Sequence, residues 1–186
     1  MKEKIDINQL IFIDLETTGL NPRRGHRVIE VGAVIVSDGM IRDVFHSLVN
    51  PSRSISAVAS KLHGITGEKL RNQPVPEEVF PALKKIIDEK ILAAHNAKFD
   101  MAFLRMEFGR LGMGINNQYI CTLELSRRYF PDLPNHKLGT IYRHLFEKSV
   151  GISRGGIRKG PKLQKHRALD DARMAAAIWQ AMEYGR

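Results

Sequence analysis

Residues 10–16 read Leu-Ile-Phe-Ile-Asp-Leu-Glu, and this stretch decides the fold. The run Leu10–Leu15 is short, apolar and rich in β-forming residues, with Gly19 and the Asn21-Pro22 pair following as turn signals. It reads as a buried central strand. Its end is unusual, because Asp14 and Glu16 sit at the tip of an otherwise apolar element. The two-residue period of a strand points both carboxylates to one side, and burying two acids together is costly without a cation between them.

Working outward, Val28–Val36 and Met40–Val49 are β-like stretches joined by Ser37-Asp38-Gly39, whose Asp-Gly pair is a strong hairpin signal. Three antiparallel strands are therefore expected to open the fold. One or two short helices are expected within the connection between Pro51 and Pro76. The pattern then alternates, with a helix over Glu77–Asp88, a brief buried strand over Ile91–Ala94, a helix over Phe99–Leu111 and an edge strand over Tyr119–Thr122. Helical spacing recurs at Leu123–Tyr129 and Leu138–Phe146. Residues Gly151–Lys165 are glycine-rich, basic and aperiodic, and read as a loop. From Ala168 an alanine-rich period through Trp179 and Met182 predicts a final amphipathic helix.

A chain of 186 residues supports one good core, and nothing in it reads as a linker, so a single domain over residues 1–186 is expected. A hydrophobic share of 43% with 26% charged residues excludes a disordered or fibrous chain. No apolar run reaches the roughly 18 to 20 residues of a membrane span, and MKEKIDINQL lacks the apolar stretch of a secretory signal, so a cytoplasmic protein without membrane contact is expected. The lone Cys121 reads as a small buried hydrophobe. Lys and Arg outnumber Asp and Glu by 29 to 20, a formal charge of +9 that favours a polyanionic partner.

Two further clusters carry chemistry. Residues 94–100 (AHNAKFD) follow the second buried strand and lead Asp100 into a helix, and residues 166–172 (HRALDDA) place His166 at the end of the basic loop and Asp171 in the first turn of the last helix. Taken singly, each has an ordinary reading. An Asp-x-Glu pair is usually solvated surface, Asp100 could simply cap a helix, and a histidine in a basic loop is usually solvated or a phosphate contact.

Together, FIDLETTGL (12–20), LHGIT (62–66), AHNAKFDMAFL (94–104) and HRALDDA (166–172) resemble the exonuclease motifs of the DEDDh, or DnaQ-like, family, which includes the epsilon proofreading exonuclease of bacterial replicative DNA polymerase. The resemblance runs from Phe12 to about Trp179. It implies an α/β chain of RNase H-like fold, with a mixed five-stranded sheet flanked by helices. It also implies that Asp14, Glu16, Asp100 and Asp171 hold two divalent cations, Mg²⁺ or Mn²⁺, with His166 as general base. A sister subclass carries tyrosine where Arg167 stands here, so the resemblance is to the histidine form.

Around the cations, Thr17, His63, Asn96 and Phe99 resemble the positions that surround the terminal nucleotide in that family. Core packing is an equal reading for Phe99. The implied activity is 3′-to-5′ hydrolysis of terminal phosphodiester bonds in DNA, of proofreading or repair type, releasing nucleoside 5′-monophosphates. An RNA exonuclease on the same scaffold is the nearest alternative, and an inactive nucleic-acid-binding module is a more distant one. The expected partners are a nucleic-acid 3′ end, single-stranded DNA first, and a DNA polymerase. Arg23, Arg24 and Arg27 after the first motif, and Arg154, Arg158, Lys159, Lys162 and Lys165 before His166, are expected to contact phosphates.

Overall fold

The computed structural model describes residues 9–146 and 167–184. Strand β1 (Gln9–Thr17) is the centre of a five-stranded sheet in the order β3-β2-β1-β4-β5. It pairs antiparallel with β2 (Val28–Ser37), which pairs antiparallel with β3 (Met40–Leu48). On its other side β1 runs parallel to β4 (Ile91–Ala94), which is parallel to β5 (Tyr119–Cys121). The sheet is thus mixed, as expected. The β2–β3 hairpin turns at Asp38 and Gly39, both at positive φ (52° and 71°), the conformation that an Asp-Gly pair adopts most readily.

Helices cover both faces. The β1 residues Ile11, Ile13 and Leu15 pack with Val79, Phe80, Leu83 and Ile87 of α3 (Pro76–Ile87) and with Met101, Leu104 and Phe108 of α4 (Ala97–Arg110). The alternate residues Leu10 and Phe12 pack with Ala172, Ala175, Ala176 and Trp179 of α7 (Ala168–Tyr184). Three alanines along this stripe let the helix backbone lie close to the sheet, and Trp179 meets Phe12 with ring centroids 6.4 Å apart. Between β3 and α3 lie the short helices α1 (Ala57–His63) and α2 (Gly67–Leu70). Helices α5 (Thr122–Tyr129) and α6 (Leu138–Phe146) follow β5, and α6 joins α7 in a further apolar cluster around Ile141 and Ile178.

Pairing of β1 with β4 stops at Phe12 opposite Ala93, whereas pairing with β2 continues to Thr17 opposite Val28. β1 therefore overshoots its parallel neighbour, leaving an edge open at its carboxyl end, where ligands gather in sheets of this kind. The sequence expectation ended this strand at Leu15, and cross-strand pairing to β2 carries it two residues further. Among the described residues no helix is long and apolar enough to cross a membrane.

Candidate active site

Asp14 and Glu16 lie in the overshoot of β1, and strand alternation puts them on the face that α7 covers. Asp171 occupies the first turn of α7, its N–H donating to the carbonyl of Arg167 at 2.9 Å. Asp14, Glu16 and Asp171 each bring a carboxylate oxygen within 4.8 Å of the others. Asp100 reaches the same place from the first turn of α4, where it is 2% exposed. Its carboxylate accepts the backbone N–H of Leu15, a β1 donor beyond the end of the β4 ladder. A cleft of about 280 Å³ is lined by all four acids.

The electrostatics of this group are those of a site built around positive charge. Burial, then the charge of Asp171, pushes Glu16 up to about 8, and burial followed by the charge of Asp170 takes Asp171 to about 7. Burial, with Asp100, Asp171 and Glu16 around it, raises Asp14 well above the ordinary carboxylate range. Burial also raises Asp100, although the N–H groups of Leu15 and of Asp100 itself oppose the shift. Acids so placed ionise together only when a cation neutralises them. The donors are all hard carboxylate oxygens, the ligand set that suits Mg²⁺ or Mn²⁺.

The remaining sequence candidates divide. Thr17, His63 and Phe99 line the cleft. Thr17 Oγ1 donates to the carbonyl of Gly19 at 2.8 Å, tightening the turn that leaves β1. His63 ends α1, a helix capped by Ser56 and stopped at Gly64 in the left-handed region (φ 70°). The ring Nδ1 accepts the N–H of Ile65 at 3.0 Å, which assigns the proton of a neutral imidazole to Nε2. Asn96 does not line the cleft. It is exposed at the N-cap of α4 with φ 67°, and its side chain makes no capping bond. His166 lies outside the described residues, as do Arg154, Arg158, Lys159, Lys162 and Lys165.

Arg27 corrects one expectation. Its Nε donates to both carboxylate oxygens of Glu107, at 2.8 and 3.0 Å, and Glu107 is buried on α4 and also accepts the N–H of Val28. This arginine ties the start of β2 to α4, whereas Arg23 and Arg24 remain exposed.

The structure adds contributors to which the sequence gave no definite place. His95 lines the cleft, with Nδ1 3.1 Å from Thr122 Oγ1 and Nε2 2.9 Å from the carbonyl of His136. A carbonyl cannot donate, so Nε2 carries a proton; burial, the largest influence, lowers the ring's proton affinity and favours the neutral form. Leu20, Val58 and Leu62 give the same cleft an exposed apolar rim. Leu62 and His63 share the LHGIT motif, but nothing in the spacing of Leu20 and Val58 brings them together. Glu30 and Gly32 of β2 support α7 from below, and the lone acid in the apolar run of β2 was the signal for the first.

Comparison with known proteins agrees with this geometry. Residues 11–179 match the Exonuclease family (RNase_T). The chain belongs to that family. Among relatives of this exonuclease family, a PolC-type DNA polymerase III of Caldanaerobacter subterraneus subsp. tengcongensis is 36% identical over 174 residues, 94% of this chain and 11% of that protein. The DNA polymerase III subunit epsilon of Rickettsia typhi is 33% identical over 183 residues, 95% of this chain and 74% of that protein. The chain thus spans about a tenth of its PolC-type relatives and most of the epsilon subunit. Among solved structures, exonuclease X in complex with 5′ overhanging duplex DNA superposes with a TM-score of 0.71 at 29% identity, covering 95% of this chain and 92% of that one. The DnaQ-like resemblance and the RNase H-like fold it implied are borne out.

Proposed function

We propose that this chain is a metal-dependent 3′-to-5′ exonuclease, a single catalytic domain over residues 1–186 that removes nucleoside 5′-monophosphates from DNA. The observation that carries the reading is the convergence of Asp14, Glu16 and Asp171 within 4.8 Å, in a cleft that Asp100 also lines. Two divalent cations, Mg²⁺ or Mn²⁺, held by these four acids would relieve charge on the scissile phosphate, activate the attacking water and stabilise the departing 3′ oxygen.

The chain's own residues supply the rest. The Leu15 amide holds the Asp100 carboxylate, and the helical turn fixes the backbone from which Asp171 reaches the cleft. His166 takes the proton from the attacking water, imidazole being the side-chain group suited to that task near neutral pH. Thr17, His63 and Phe99, which line the cleft, meet the terminal nucleotide. Similarity to PolC-type and epsilon polymerase chains supports proofreading beside a DNA polymerase, and with it a cytoplasmic setting.

The test is a gel assay of end-labelled single- and double-stranded DNA and RNA, with Mg²⁺, with Mn²⁺ and with chelator. Stepwise shortening of DNA from the 3′ end, only with metal, is the expected result. Faster loss of RNA than DNA would replace the substrate assignment, and inertness with both metals would overturn the catalytic one.

A further inference from the structure

Glu30 stands directly opposite Glu16 in the β1/β2 register. Two carboxylates facing each other across an antiparallel pair repel, and Glu30 is fully buried, so its charge needs local compensation. Arg167 supplies it, with Nε and Nη2 donating to Glu30 Oε1 at 3.0 and 2.8 Å and Nε also 3.3 Å from Oε2. The Ala168 N–H donates to Oε2 at 3.2 Å, and His46 Nε2 sits 2.7 Å from Oε1. Every oxygen of this acid is therefore occupied by donors from other elements.

The bond from Ala168 makes Glu30 a cap supplied from a neighbouring strand to the first turn of α7, the place where helix N–H groups lack partners. Gly32, two residues along the same face of β2, lets the helix come down onto the strand. A Cβ there would lie 2.2 Å from the backbone nitrogen of Leu169. The turn held in this way is the one that carries Asp171, whose N–H returns to the Arg167 carbonyl at 2.9 Å.

We propose that Arg167 is a positioning residue that acts through Glu30. Its planar fork pins the first turn of α7 over β2, which sets Asp171 against Asp14 and Glu16. It also holds the Glu30 carboxylate away from the cations its cross-strand partner Glu16 would grip. Arginine suits this task because Nε and Nη2 reach one carboxylate from a single plane, which the point charge of lysine cannot reproduce. The inference rests on the proposed cation site, and the experiment separates the two.

The full chain would be compared with Arg167→Lys, Glu30→Gln, Arg167→Ala and the double variant Arg167→Ala/Glu30→Gln. Four properties are read: Mn²⁺ binding by electron paramagnetic resonance, hydrogen exchange across residues 168–176, kcat against KM on a 3′-labelled oligonucleotide, and thermal unfolding. Arg167→Lys keeps the charge and is expected to fold, yet to lose about tenfold in kcat and in Mn²⁺ affinity with KM nearly unchanged. Exchange in the first turn of α7 should quicken in every variant. The double variant removes the buried uncompensated acid and should be no slower than Arg167→Ala alone, since two residues acting as one unit do not add.

Wild-type kcat and Mn²⁺ affinity in both Arg167→Lys and the double variant would overturn the proposal, as would independent, multiplying losses. Should the wild-type protein bind no Mn²⁺, the cation reading fails instead, and the exchange data alone decide whether Arg167 pins the helix.

Discussion

Asp14 of β1 and Asp171 of α7 come from opposite ends of the chain and bring carboxylate oxygens within 4.8 Å of one another. Burial and mutual repulsion make this contact unfavourable in the metal-free protein. Asp171→Asn should therefore raise metal-free stability at pH 8 by about 2 kcal/mol, allowing for solvent screening of a group pushed up to about 7. The same variant should lose both nuclease activity and the rise in melting temperature that Mg²⁺ gives the wild type. Calorimetry with and without Mg²⁺ checks it, and a lower metal-free melting temperature would contradict the repulsion.

The pH dependence has a definite sign. Glu16 at about 8 and Asp171 at about 7 bind protons more tightly folded than unfolded, so the folded state holds more protons between the ordinary carboxylate range and pH 8. Metal-free stability should accordingly fall as pH rises from about 4 to 8. Glu30 runs the other way: burial pushes its proton affinity up, but hydrogen bonds from Arg167, His46 and the Ala168 amide more than offset this, and its contribution is lost only on acidification. Chemical denaturation across that window, with and without Mg²⁺, should show a downward slope that the cation flattens. A metal-free stability that climbed over the same range would refute the assignment.

His166→Ala should lower kcat by roughly a hundredfold or more and leave Mn²⁺ binding close to that of the wild type. Single-turnover rates together with a manganese titration test this. Wild-type turnover would remove His166 from the reaction.

Gly32→Ala should destabilise the protein by about 2 kcal/mol or more, because the added methyl would meet the backbone of Leu169 and Ala168 rather than a side chain that can swing away. The displaced turn carries Asp171, so cation affinity should fall with stability. An alanine variant with unchanged melting temperature and Mn²⁺ binding would show that α7 sits less tightly on β2.

Local patterns made much of this fold legible. The apolar run of β1 and the Asp-Gly turn gave the first three strands, and the alanine period gave α7. The four acids were readable because each lies in a short motif at a junction of elements. Arg27 was misplaced among phosphate contacts because its true partner, Glu107, lies on a distant helix and no spacing rule connects them. The pairing of Glu30 with Arg167 was illegible for the same reason, since the two meet only when α7 folds back over β2. His95 was seen at the head of a motif, but its anchoring to Thr122 and His136 depends on where α5 and α6 come to rest.

The central strand carries the first two acids, and the helix that closes the chain's described portion carries the last. During synthesis the β1–β2–β3 meander can pair as soon as it leaves the ribosome, since its contacts are close in sequence. The acid trio cannot assemble until α7 has emerged and docked. On the reading proposed above, a nascent chain lacks a complete cation site until then, and so does any product truncated before that helix.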